Sequence, residues 1–124
     1  MKYTSFEQLP IWGKAHELTL FIYKLTETFP KSEIYGLTSQ LRRSASSIPA
    51  NIAEGFYRNS TKELVQFLYI TRGSLGETKY HLRLSKDLNY LMQKDYEYLI
   101  NEYEIIGKQL NGWIKSLKNK VLIH

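Results

Sequence analysis

Pro49 falls inside an otherwise helical pattern. In Ser47-Ile48-Pro49-Ala50-Asn51-Ile52-Ala53-Glu54-Gly55 the apolar residues keep a helical spacing on both sides of the proline. Proline lacks a backbone N–H and its ring clashes with the carbonyl four residues back, at a cost of about 3 kcal/mol in a helix interior. The segment must therefore either kink or break. The small residues Ser44 to Ser47 lie just upstream and can absorb a bend. One helix over about residues 33–56, kinked near Pro49, is the expectation.

Three other segments carry the same period, and none shows sustained alternation. Ile11, Ala15, Leu18, Ile22, Leu25 and Phe29 form one stripe between Pro10, which suits a first helical turn, and Pro30, which stops the helix. Ser60-Thr61-Lys62-Glu63 matches a capping box and opens a segment that runs to about Asn89. That segment shows two adjacent stripes. One is Phe67, Ile70, Ser74, Glu77, His81, Leu84 and Leu88, and the other is Leu64, Leu68, Thr71, Leu75, Thr78 and Leu82. The last segment opens at Asp95 as N-cap, carries Tyr96, Leu99, Tyr103, Ile106, Leu110, Trp113 and Leu117, and ends near Lys120. Short connections make sequential helices antiparallel neighbours. The reading is an all-α, antiparallel up-down-up-down four-helix bundle, one domain over residues 1–124.

The function classes narrow by exclusion. With no cysteine among 124 residues, disulfides and thiolate metal sites are ruled out. His16, His81 and His124 are scattered, without a His-x3-His or HExxH pattern, so no metal or other cofactor is expected. Met1 to Gln8 lack the apolar core of a signal peptide, and no apolar run could span a bilayer. A cytoplasmic protein without membrane contact is expected. The net charge of +5 is compatible with an acidic partner.

Two groups of polar residues stand out. Asn51, Glu54, Ser74 and Glu77 lie on or beside core-facing stripes, with Arg42, Arg43 and Arg72 nearby. Buried carboxylates need partners, so the first reading is a paired internal network and the second a polar pocket. Gly73 and Gly76 flank Ser74 and predict a tight crossing against residues 51–55 or against another subunit. The basic residues gather in the middle of the chain and along the last helix. They could neutralise phosphates, with interleaved tyrosines stacking on unpaired bases.

The stretch Tyr35-Gly36-Leu37-Thr38-Ser39-Gln40-Leu41-Arg42-Arg43-Ser44-Ala45, followed by Ser47 to Gly55, resembles the bacterial four-helix-bundle proteins encoded in 23S rRNA intervening sequences. Trp12 with Ala15, Phe29-Pro30, Phe67-Leu68 and Arg72-Gly73-Ser74-Leu75 fit the same family. The chain departs from the pattern after Glu77, where Thr78 and Lys79 replace an apolar residue and a second acid. The resemblance implies a homo-oligomer, with a pentameric ring favoured. It also implies a relation to the accessory proteins of diversity-generating retroelements, which engage nucleic acid and a reverse transcriptase. It supplies no catalytic residue.

The resulting expectation is a non-enzymatic oligomer that contacts structured RNA or other nucleic acid through Arg43, Arg58, Lys62, Arg83, Lys86, Lys115 and Lys118. Arg42, Asn51, Glu54, Arg72, Ser74 and Glu77 are assigned to internal or intersubunit structure. The alternative is a protein–protein scaffold, or an accessory subunit of a nucleic-acid enzyme, without direct nucleic-acid contact. An enzyme built on Glu54 and Glu77 is the remaining reading.

Overall fold

Four helices form where the apolar period runs: α1 (Pro10–Thr26), α2 (Leu37–Phe56), α3 (Thr61–Asp87) and α4 (Gln93–Ile123). The computed structural model describes residues 3–123, with side chains through Lys120, so His124 lies outside the described residues. Contacts between helices fix their directions. Ser47 meets Ser74 and Ser44 meets Thr78, so α3 runs against α2. Arg72 meets Asn111 and Lys79 meets Glu104, so α4 runs against α3. Lys14 meets Glu102 and Phe21 meets Tyr98, which closes α4 against α1. The result is the expected up-down-up-down bundle.

The helix ends have local causes. α1 stops at Thr26 rather than Phe29, and the chain tightens into i→i−3 bonds at Glu27, Thr28 and Phe29 ahead of Pro30. Residues 31–33 form a separate single turn, not the start of α2. The Glu33 carboxylate then accepts from the Leu37 N–H at 3.0 Å and caps α2. Ser60 accepts from the Glu63 N–H at 3.1 Å, the capping bond its sequence predicts. At the far end of α3, Asn89 takes a left-handed φ of 66°. The N–H of Tyr90 reaches the Ser85 carbonyl and that of Asn89 reaches Lys86, which makes a Schellman ending. α4 begins two residues before Asp95, with the Tyr96 N–H bonded to the Met92 carbonyl.

α2 passes through Pro49 without interruption. Proline at 49 denies the Ala45 carbonyl its usual i+4 donor. The buried Thr19 hydroxyl of α1 sits 3.2 Å from that carbonyl, while also lying 2.8 Å from the Ala15 carbonyl of its own helix. One hydrogen shared between two carbonyls thus ties α1 to the proline site.

The core consists of the stripes of α1, α2 and α4 and one of the two stripes of α3. Leu68, Thr71, Leu75, Thr78 and Leu82 are buried, whereas Ile70 and Leu88 of the other stripe are exposed. Within the single chain the close approach between α2 and α3 falls at Gly55, not at Gly73 and Gly76. A Cβ on Gly55 would meet Leu64 and Phe67 at 3.0 Å, while one on Gly73 or Gly76 would meet nothing within 4 Å.

Tyr103 is the one large polar side chain at the centre. It is fully buried, and its hydroxyl is without a partner among the described residues. Burial pushes that phenol well above its usual pKa. An orphaned buried hydroxyl costs about 1–3 kcal/mol in lost hydration. Tyr103→Phe is therefore expected to raise stability by about 1 kcal/mol in urea denaturation; a loss of that size would reveal a partner for the hydroxyl.

Candidate nucleic-acid interface

Arg72 and Lys79 of α3 and Lys108 of α4 line a shared groove. Arg72, Lys79 and Lys86 recur every seven residues on α3 and so lie along one face. Each meets α4 differently. Arg72 donates to Asn111 at 3.1 Å, Lys79 to Glu104 at 2.7 Å, and Lys86 lies 5.1 Å from the Tyr96 ring centre. Lys118 of α4 approaches the Tyr69 ring, which Arg72 also covers at 5.0 Å. Between the helices lies a groove of about 280 Å³ lined by Arg72, Gly76, Lys79, Glu104, Lys108 and Asn111 among others. Glu104 is its one carboxylate among the described residues, and the ammonium of Lys79 holds it below its usual pKa, with Lys108 adding to the effect.

The residues expected to contact nucleic acid divide by their partners. Lys62, Lys115 and Lys118 are exposed, and none has a carboxylate within 4.0 Å among the described residues. Lys86 is half-buried, 3.8 Å from Asp87. Arg43, Arg58 and Arg83 are engaged already. Arg43 pairs with Glu77 at 2.5 Å, Arg83 with Asp87 at 3.0 Å, and Arg58 with Glu54 while covering the Phe67 ring. Arg43 and Arg58 lie toward α2, away from the groove. Arg72, Lys79 and Lys108, absent from the expected set, line the groove. The seven-residue spacing of Arg72, Lys79 and Lys86 was the available signal.

The expected internal network also divides. Asn51 and Ser74 join a ladder of hydroxyls between α2 and α3. Asn51 donates to Ser47, Ser47 lies 2.8 Å from Ser74, and Thr78 donates to Ser44. Arg42 donates to the Thr26 hydroxyl at 2.8 Å and to the Tyr23 carbonyl at 3.2 Å, placing a cation at the C-terminus of α1, where the helix dipole favours it. Glu54 and Arg72 are exposed and Glu77 half-exposed, so these three sit at the surface of the single chain and not in its interior. The two glutamates are tied to separate arginines and do not converge on a pocket. No cluster of three metal-ligating side chains occurs among the described residues.

His81 ends the hydroxyl ladder, with Nδ1 3.4 Å from the Ser44 hydroxyl. Burial holds its imidazole below the usual 6.5; Arg43 adds to that effect and Glu77 opposes it. The folded state therefore favours the neutral ring. Below pH 6.5 the unfolded chain binds more protons, so stability is full above that value and falls as pH drops through the folded pKa. Denaturation midpoints measured downward from neutral pH should decline in the wild type and decline less in His81→Gln.

Together these features define a class: an all-helical bundle with a row of cations along α3 and α4 and with Glu54 and Glu77 held by separate arginines. The chain belongs to the 23S rRNA-intervening sequence protein family, whose model matches residues 7–112. It is similar to a solved structure from Bacteroides thetaiotaomicron VPI-5482, a protein of unknown function from the S23 ribosomal protein family. Identity is 29%, the TM-score is 0.76, and the match covers 85% of this chain and 98% of that one. No curated protein matches the chain. No described helix is long and apolar enough to cross a membrane.

Proposed function

We propose that the chain is a non-enzymatic, oligomeric bundle that binds folded RNA by its phosphates along the α3/α4 face. The observation that carries this reading is the row formed by Arg72, Lys79 and Lys86 on α3 with Lys108, Lys115 and Lys118 on α4, against Glu104 in the groove and Asp87 at 3.8 Å from Lys86. Rows of cations neutralise phosphates and release counterions, which gives affinity without base readout. Cations cover the rings of Tyr69 and Tyr96, so these tyrosines are poor platforms for stacked bases. That favours backbone contact over base contact on this face. The family's name makes RNA the ligand to test first.

Copies of the chain associate, in this reading, through the outer face of α1 and α2. There Leu20 is 58% exposed beside a shallow apolar groove of about 420 Å³ that includes Trp12, Tyr23, Pro49 and Ala53. An oligomer would multiply modest contacts through avidity. The test is binding of nucleic-acid-free protein to a hairpin RNA, with mass by light scattering. Binding by an assembly larger than the 14.6 kDa chain supports the proposal. A folded protein that ignores the hairpin would redirect it to the scaffold reading.

A further inference from the structure

We propose that the groove between α3 and α4 is a seat for one phosphodiester of the RNA bound along that face, and that Glu104 occupies the seat until the RNA displaces it; the inference rests on that reading of the face. Arg72, Lys79 and Lys108 line the groove, and Glu104 is the one carboxylate among its described lining residues. Lys79 donates to that carboxylate at 2.7 Å. An ammonium makes the same charge-assisted bond to a carboxylate as to a phosphate oxygen. Glu104 therefore stands where a phosphate oxygen would.

Three details separate this contact from an ordinary surface ion pair. Three cations face one carboxylate, so the groove stays positive with the pair made. The Glu104 side chain is 55% exposed, so it can turn into water without leaving a charge buried. Gly76 and Gly107 also line the groove, and a Cβ on Gly76 would meet nothing within 4 Å. Glycine is unfavourable in a helix interior. At position 76 its missing side chain keeps the groove open beside Lys79.

The exchange sets which anions the seat accepts. A free anion must break the Lys79–Glu104 pair for a single new contact, and it gains little. An RNA already held by Lys86, Lys115 and Lys118 presents its next phosphate at high local concentration. That phosphate can take the place of Glu104 on Lys79, next to Lys108. Glu104 thus favours a polyanion over isolated anions.

The test measures hairpin-RNA binding by the full chain at several salt concentrations. Glu104→Gln keeps the shape and removes the competing charge. It is expected to tighten binding about two- to fivefold at low salt and to steepen the slope of log K against log salt by roughly 0.7–0.9, the counterions of one more phosphate. Glu27→Gln makes the same change in net charge from an exposed site at the end of α1, outside the groove, and should leave the slope unchanged. Gly76→Leu alters no charge but fills the seat, and should weaken binding at least about threefold. Gly73→Leu, equally open but outside the groove lining, should not. Leucine is a better helix former than glycine, so neither change threatens the fold. Equal effects from the two glutamines, or from the two leucines, overturn the seat and leave the face standing. Binding by neither the wild type nor any variant overturns both.

Discussion

Replacing Arg72, Lys115 and Lys118 together by glutamate is expected to weaken hairpin-RNA binding by about 100-fold or more at low salt. Each reversal removes a counterion-releasing contact and adds a repulsive one. The three positions are exposed, and none is salt-bridged among the described residues. The fold should therefore tolerate the change, with a loss within about 1 kcal/mol. The matched control is alanine at Arg43, Arg58 and Arg83. Those guanidiniums are already neutralised by Glu77, Glu54 and Asp87, so their loss should change binding only a few-fold. Filter binding at equal folded fraction, verified by circular dichroism, separates the two sets. The reversals lower net charge by six and the alanines by three, so log-scale losses in a two-to-one ratio would mean that net charge alone, not the α3/α4 face, governs binding.

Thr19→Val is expected to destabilise the bundle by about 1–3 kcal/mol, although it removes only one hydroxyl and keeps the shape. The hydroxyl approaches the Ala45 carbonyl, whose usual i+4 donor Pro49 lacks. Without it a buried acceptor loses its replacement partner. Pro49→Ala restores an N–H at position 49, so the cost of Thr19→Val should shrink in that background. A double-mutant cycle by urea denaturation measures this coupling directly. Additive losses would show that the hydroxyl acts only on its own helix, through the Ala15 carbonyl.

Those two effects also separate what the sequence reveals from what it hides. The helices were legible because their stripes and stops are local: Pro10, Pro30, the Ser60 cap and the end near Asn89 all act within a turn or two. The α3 core face was ambiguous because successive residues differ by about 100° around a helix. A shift from 67, 70, 74 and 77 to 68, 71, 75 and 78 turns the apparent core into its shoulder. That shift placed Glu77 inside when it lies at the surface against Arg43. The pairing of Arg58 with Glu54 and of Arg83 with Asp87 was readable from i,i+4 spacing. The partners of Arg72 and Lys79 lie 39 and 25 residues away, where no local pattern reaches. Nor could sequence show that Thr19 of one helix serves the proline of the next.

The salt dependence of hairpin-RNA affinity is the most direct measurement of phosphate contact by the basic face. Nucleic-acid-free wild-type protein would be titrated at several monovalent salt concentrations and log K plotted against log salt. Each neutralised phosphate contributes a slope of roughly −0.7 to −0.9. Engagement of the face predicts a total of about −3 or steeper, and a shallower line for the Arg72, Lys115 and Lys118 reversal. A flat line for the wild type, or no binding at the lowest salt, would contradict it.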